Sequence, residues 1–567
     1  MPVQQAKTDT DGIKNYELRI KNYKLCIMNK HRKILGMMAI GAFFSPLSVL
    51  TSCSDWNDHY ENALGGSNTS SLYEEIASHE ELSDFATLLA NTKVFRHHKV
   101  TETSYADILS GGQSLTLMAP VNGTYNLDSL LQVLTTAQGD SAVEHFFVKN
   151  HIIRSPHSAT EGRYKSLNGK YVEITPGTIG DVEINQSNIQ TRNGVLHVMK
   201  SPIEYKKTIY ETLVLDEECK DIGAGIASYN EDEFDENASV SSGNIDGVPI
   251  YVDSVIYERN KMMEAIGLLN AEDSVYSVTV PTNEGWKKAW DKAINYFNYA
   301  DNVDKRDSLQ KYYTMRALLD DAVFSMRMQA SPSDSITSVH YNRSTPEYHV
   351  FYKPYESTGL LGKAKSFRKC SNGVLYLYDE WPFDPTQTYF KKIEQEGEYT
   401  WNMTDYSTGD TLKISTTTIV GGGVHKGSYV RLAPGASKYG SLWHVIYKIP
   451  DVLSGKYKVH FVSLSKTIDP ATTDPDRAVK FKAAISYYDQ SGTLQKFDCD
   501  AQTVETTEYD ADTKANDKVI AEIDFPVCQY GQTTDVTITI NGNANPKRTT
   551  ESSIIYLDYI YLEPVIE

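Results

Sequence analysis

Cysteine is scarce, with six in 567 residues, and no pair has the Cys-x-x-Cys spacing. A zinc ribbon or a thioredoxin-type redox centre therefore has no support. Basic charge is also short: 55 Lys and Arg stand against 74 Asp and Glu, a net charge of −19. Such a chain lacks the basic footprint of a nucleic-acid binder, or of a protein held to anionic lipid by charge. Long apolar runs are missing too. The 17 uncharged residues Ile34 to Leu50 are interrupted by Pro46 and Ser48, and a membrane span needs about 20 apolar residues. No Gly-x-Ser-x-Gly elbow or His-Glu-x-x-His helix occurs, so neither an α/β-hydrolase nor a zincin is indicated. Gly359-Leu360-Leu361-Gly362-Lys363 is too short for a phosphate loop, and no Ser or Thr follows its Lys.

The content that is present describes a soluble multidomain chain. Apolar residues make up 40% and charged residues 23%, and this length suggests about three or four domains. Tyrosine stands out at 38 against 17 Phe. A flat ring with a hydroxyl suits sugar or protein recognition, and equally the edges of strand-rich domains.

The N-terminus has the order of a processing signal. Met28-Asn29-Lys30-His31-Arg32-Lys33 is basic, the apolar stretch follows, and Leu50-Thr51-Ser52-Cys53 closes it. This ending resembles the bacterial lipobox, which implies lipidation of Cys53 as the first mature residue. Residues 1–27 then read as over-called upstream translation, 28–52 as the signal peptide and 53–68 as a flexible tether with Gly65-Gly66-Ser67-Asn68. The acidic Ser54-Asp55-Trp56-Asn57-Asp58 resembles the surface-export signal of Bacteroidota lipoproteins. Asp128, Asp140, Asp253, Asp273, Asp307, Asp334 and Asp410 each open an Asp-Ser/Thr-apolar triplet, resembling the O-glycosylation motif of that phylum. Residues 1–52 hold eight basic and three acidic side chains, so the mature net charge is −24. The expected location is the outer membrane, lipid-anchored and exposed at the cell surface. Of the four remaining cysteines, Cys219, Cys370, Cys499 and Cys528, the last two fall in one domain and form the candidate disulfide.

After the tether, Leu72, Ile76, Leu82, Phe85, Leu88 and Leu89 have helical spacing. Leu117-Met118-Ala119-Pro120-Val121-Asn122-Gly123-Thr124-Tyr125, then Asn150-His151-Ile152-Ile153, then Asn193-Gly194-Val195-Leu196-His197-Val198 follow in order. The series resembles the fasciclin (FAS1) domain, over 69–205. Tyr276 to Trp286, with Val280-Pro281-Thr282-Asn283, and Ser371-Asn372-Gly373-Val374-Leu375-Tyr376-Leu377 repeat the first and last elements. They imply a second, divergent FAS1-like domain over 208–382. Pro120 and Asn122, with Pro281 and Asn283, are expected to shape the turn after a buried strand. Residues 386–567 alternate short strands with turns: Tyr429–Leu432, Trp443–Ile449, Tyr457–Leu464, Val479–Tyr488, Val519–Phe525, Val536–Ile540 and Ile554–Leu562. The run Ile555 to Pro564 resembles the last strand of galactose-binding-like and carbohydrate-binding jelly rolls. The expected fold is thus two α+β FAS1-like domains followed by an all-β sandwich.

Candidate chemistry is thin. His145, His151 and His157 are six apart, which would align them on a strand, and a buried, hydrogen-bonded His151 is the simpler reading. Glu231-Asp232-Glu233-Phe234-Asp235-Glu236 lacks the order of a calcium loop and reads as a solvated insertion. Asp474-Pro475-Asp476, Asp498 and Asp500 are similar. No metal ligand, cofactor site or catalytic pair is assigned. Trp443, Tyr439 and Tyr429 are the aromatics near predicted loops and the candidate sugar-contact set, although for Trp443, inside an alternating strand, a core position is the preferred reading. FAS1 resemblance implies an interaction module without enzyme activity. The expected role is an accessory binding subunit beside a SusC-like TonB-dependent barrel and a SusD-like lipoprotein, with a glycan or peptide ligand. Cell adhesion and a surface glycan hydrolase are the alternatives.

Overall fold

The computed structural model describes residues 69–566 apart from 97–98, 246–247, 343–346, 408–410, 420–422, 436–442 and 546. The leader, Cys53, the tether and Tyr439 lie outside the described residues.

The first helix, Leu72–Ser78, begins with a capping box. The Ser71 hydroxyl accepts from the Glu74 N–H while the Glu74 carboxylate accepts from the Ser71 N–H. Leu72, Ile76, Leu82, Phe85, Leu88 and Leu89 are all fully buried, as their spacing predicts. They pack with Leu115, Leu117, Leu196 and Val198. The sheet beneath has seven strands in the order Ile152–Arg154, Leu115–Pro120, Gly194–Met199, Val182–Thr191, Thr178–Ile179, Tyr171–Ile174, Gly162–Lys165. Leu115–Pro120 and Gly194–Met199 are parallel neighbours, and every residue of both is buried. That burial explains their unbroken apolar character.

Asn193 joins this sheet to the helices. Its Oδ1 accepts from the Leu72 N–H at 2.8 Å, and its Nδ2 donates to Leu109 O at 2.9 Å and Gly111 O at 2.8 Å. Next to it, a Cβ on Gly194 would lie 2.0 Å from Leu115 O, so only glycine fits. The same device recurs at Asn372-Gly373. Asn372 Oδ1 accepts from Ile209 N–H at 2.9 Å, Nδ2 donates to Leu269 O and Ala271 O, and a Cβ on Gly373 would lie 1.9 Å from Tyr276 O. Thr208 and Glu211 form the capping box before the helix Ile209–Leu215. Asn122 works as expected of a turn residue: its Oδ1 accepts from Asp84 N–H and its Nδ2 donates to Glu80 O and Ser83 Oγ.

The described residues form two compact units. One holds the residues up to Val278 with Ser325–Pro332 and Ala364–Leu377; the other holds Thr279–Phe324, Ser333–Lys363 and Tyr378 onward. The segment 208–382 is therefore shared between them. In the second unit Phe297 and Tyr299 are buried in the same core as the C-terminal strands. Asn298 Nδ2 donates to Gln490 Oε1 and Pro526 O, both at 2.7 Å. The acidic run from Glu231 is not an irregular loop. It opens the strand Asn230–Ile245, which pairs antiparallel with Val248–Asn260. Its charges are offset by Lys261 on Glu231 at 2.7 Å and Arg259 on Glu233 at 3.3 Å, and cross-strand pairs of opposite charge favour the ladder.

All seven predicted C-terminal strands are present. One sheet runs Leu412–Thr418, Ser428–Pro434, Ile555–Pro564, Gly455–Leu464, Ala515–Phe525, with Ile393–Glu396 also on Ile555–Pro564. The other runs Met403–Tyr406, His444–Ile449, Val536–Gly542, Ala478–Tyr488, Leu494–Asp498, with two short strands also on Ala478–Tyr488. Val430, Leu432, Tyr457 and Phe461 from the first share one core with Val445, Tyr447, Phe481 and Ile538 from the second, a sandwich arrangement. No described helix is long and apolar enough to cross a membrane.

Candidate functional site

The strand Ile393–Glu396 sets Glu394 opposite Tyr561 and Glu396 opposite Tyr559. Period-two alternation puts both carboxylates on one face. The short turn His425–Gly427 brings two cationic side chains to them. His425 Nδ1 lies 2.9 Å from Glu396 Oε1, and Lys426 Nζ lies 2.8 Å from Glu396 Oε1 and 3.2 Å from Glu394 Oε2. The His425 ring stacks on Tyr559 at 4.2 Å, and the His425 backbone N–H donates to both oxygens of Asp558. Glu396 and Asp558 are buried. Glu396 Oε2 and Glu398 Oε2 are buried without a hydrogen-bond partner, a costly state for an anionic oxygen.

The electrostatics follow from this crowding. Burial pushes the Asp558 carboxyl up to about 7, with Glu396 and Glu398 adding to the rise against the His425 N–H. Glu398 is raised by burial and by Glu396. Burial also acts to raise Glu394, but Lys392, His425 and Lys426 hold it below the ordinary glutamate range. One donor atom each from Glu394, Glu396 and His425 lie within 4.8 Å of one another. The set is dominated by carboxylate oxygen and leaves one buried oxygen of Glu396 unsatisfied, which fits a hard divalent cation. Lys426 neutralises the same oxygens, so a bound ion would displace its ammonium.

Beyond Glu396 the chain turns sharply. Gly397 N–H donates to Asp558 O, Thr400 N–H to Glu398 O, Asn402 N–H to Tyr399 O, and Asn402 Nδ2 to Gln395 Oε1. This turn presents Tyr399 and Trp401 with their rings stacked at 4.3 Å and 25°. Trp401 is 69% exposed. Tyr399 backs one face of the indole and leaves the other to solvent, a geometry suited to stacking on the apolar face of a sugar ring. The sequence gives little signal for this exposure: Tyr399, Trp401 and Met403 alternate with polar residues, a pattern that reads as a half-buried strand.

Two of the three aromatics singled out from sequence, Trp443 and Tyr429, are core residues. Trp443 is fully buried, with Gly542 packed so closely that a Cβ there would lie 2.5 Å from its Nε1. Tyr429 points inward from Ser428–Pro434 and packs with Val424, Leu464 and Tyr556. Register, not proximity to a loop, decides the facing of a strand residue. Cys499 and Cys528 are separate free thiols, both buried. Burial pushes them up to about 11 and about 12, so they are inert rather than paired. The three histidines are scattered. His145 meets the Tyr205 hydroxyl at 3.0 Å and His157 the Arg154 carbonyl at 3.1 Å. His151 is fully buried, donating from Nδ1 to Phe147 O and accepting at Nε2 from Ile203 N–H. Burial pushes it down to about 4, so it is a neutral structural histidine. Asp474 is held by Arg431 through two contacts of 2.7 Å.

The family model described as the fasciclin domain matches residues 81–205, the segment built around Asn122, His151 and Asn193. Residues 81–205 are a fasciclin domain. No curated protein matches the chain. Among solved structures, a FAS1 domain pair from the insect cell adhesion molecule fasciclin I is 13% identical, with 48% of this chain and 90% of that chain covered and a TM-score of 0.17. The CBM22-1 xylan-binding domain of Xyn10C from Paenibacillus barcinonensis is 10% identical, covering 31% and 95%, at a TM-score of 0.20. The GH26-CBM35 β-(1,4)-mannanase of Podospora anserina is 12% identical, covering 31% of this chain and 28% of that one, at a TM-score of 0.17. The acidic cluster and Trp401 lie outside the fasciclin domain, in the C-terminal strands.

Proposed function

We propose that the protein is a non-catalytic binding protein, lipid-anchored through Cys53 at the bacterial cell surface, whose C-terminal sandwich takes a glycan on Trp401. The observation that carries the reading is the Trp401 indole, backed by Tyr399 and open on its other face. The buried carboxylates nearby are tied to Lys426, His425 and a backbone N–H, an arrangement suited to holding a turn or a cation rather than flanking a scissile bond. In this reading 208–382 is a divergent second fasciclin domain, supported by the Asn372-Gly373 clamp, and the sandwich has jelly-roll connectivity. The chain serves as an accessory subunit of an outer-membrane uptake complex with a SusC-like barrel and a SusD-like lipoprotein. A purely adhesive role is the second reading, favoured by the fasciclin domain itself.

The test is affinity electrophoresis of the full chain through gels containing soluble polysaccharides, with release of reducing ends measured in parallel. Retardation by at least one polysaccharide is expected, lost in Trp401→Ala and partly kept in Trp401→Phe, with no new reducing ends. Release of reducing ends would make the protein a hydrolase. Absence of retardation by every polysaccharide would leave adhesion.

A further inference from the structure

Ser335–Asn342 and Glu347–Tyr352 form a two-stranded antiparallel sheet that no third described strand joins. Its inner face is anchored. Ile336 is fully buried, opposite Phe351, whose ring meets Phe324 edge-on at 5.6 Å and Phe383 at 5.5 Å. Ser338 donates to the buried Asp321 at 3.1 Å, and His349 Nδ1 lies 3.4 Å from the same carboxylate. The pairs Ser335 with Tyr352, Thr337 with Val350 and Tyr341 with Tyr348 therefore face the other way. Tyr341 is 43% exposed, Tyr348 42%, Val350 36% and Tyr352 76%. None of the six carries a charge, in a chain whose net charge is −19. The inner residues already hold the hairpin down, so the fold does not require an aromatic outer face.

We propose that this face is a second carbohydrate-contact surface, which takes a short neutral oligosaccharide lengthwise over Tyr348, Val350 and Tyr352. Alternate strand residues stand about 7 Å apart, so these three span about 13–14 Å, the length of a short oligosaccharide. The flat face is about 20 Å by 10 Å, or about 200 Å², far below the roughly 800 Å² per partner of a stable protein complex. Tyrosine combines a stacking surface with a hydroxyl, and Ser335 and Thr337 border it with further polar groups. None of the described residues that form this face carries a positive charge to recruit an acidic sugar. It does not include Trp401, which stands on the turn Thr400–Asn402.

The experiment is calorimetric titration of the full chain, in detergent, with neutral gluco-, xylo- and manno-oligosaccharides. Four forms are compared: wild type, Trp401→Ala, Trp401→Ala with Tyr348→Ala and Tyr352→Ala, and Trp401→Ala with Tyr348→Phe and Tyr352→Phe. Trp401→Ala should retain binding of at least one oligosaccharide. The alanine pair should weaken that remainder by about tenfold or more, as loss of two ring contacts implies, and the phenylalanine pair should preserve it. Melting curves should stay in place, because these side chains point outward. A Trp401→Ala chain that binds none of the sugars would overturn the proposal, as would binding indifferent to the alanine pair. So would loss of a co-purifying protein with sugar binding unchanged, which would make the face a protein interface. Wild-type affinity in Trp401→Ala with dependence on Tyr348 and Tyr352 would instead remove the Trp401 reading and keep this one.

Discussion

Replacing Asn193 by alanine removes three hydrogen bonds at one buried point. The Leu72 N–H loses its acceptor, and the carbonyls of Leu109 and Gly111 lose their donor. Asn193 is 2% exposed, so water has little access to these groups. At about 1 kcal/mol for each bond, with buried groups left unpaired, the cost is about 3 kcal/mol. That is a large part of the 5–15 kcal/mol that holds a typical domain. For a unit of this size the melting midpoint should fall by about 6–12 °C. The sharper assay is hydrogen exchange. The Leu72 amide should exchange about 100-fold faster in Asn193→Ala, while the Ile209 amide, held by Asn372, should change far less. Asn372→Ala should reverse the pattern. If neither variant shifts its own amide by as much as tenfold, the two Asn-Gly corners are not the clamps described here, and the structural repeat loses its strongest physical support.

Asp558 rises from the ordinary aspartate value of 3.8 to about 7. The folded state therefore holds a proton that the unfolded state releases. The stabilisation is complete below about pH 4 and is lost as pH rises through about 7. The shift corresponds to about 4 kcal/mol at most and to about 2–3 kcal/mol after solvent screening. Asp558→Asn should flatten the denaturant midpoint between pH 4 and 8 and raise it at pH 8. A variant that follows the wild-type pH curve contradicts the assignment. Added Ca²⁺ should stabilise the wild type at pH 8 by occupying Glu394 and Glu396, and Glu396→Gln should blunt that response; an equal response in both forms refutes the cation fit. Cys53→Ala should leave an unlipidated chain with its leader uncleaved or miscut, read by intact mass. A tagged native chain should bring a TonB-dependent barrel with it in mild detergent, and recovery of the chain alone under conditions that keep such barrels intact removes the uptake role.

Much of the architecture was legible because it is written in local periods. The helical spacing of Leu72 to Leu89 and the alternation in the seven C-terminal strands depend on neighbours within a few residues. Asn-Gly at 193–194 and again at 372–373 marks a corner where a Cβ would strike a carbonyl, and glycine at such a point is visible in a single sequence. Facing was only partly legible. Tyr429 sits in a strand the sequence predicted, yet which side of that strand meets the core depends on pairing with segments far along the chain; Trp443, just before His444–Ile449, takes the core position its pattern favoured. Trp401 is exposed because a turn tied to Asp558, some 157 residues downstream, holds it out. The acidic cluster has the same origin: Glu394, His425 and Asp558 carry no common motif and meet only where Ile393–Glu396 pairs with the last strand. Sequence determines what a segment can become through backbone and side-chain preferences acting over a few residues. Only the closure of the sheets, a long-range hydrophobic and hydrogen-bonding event, determines which side chains share a site.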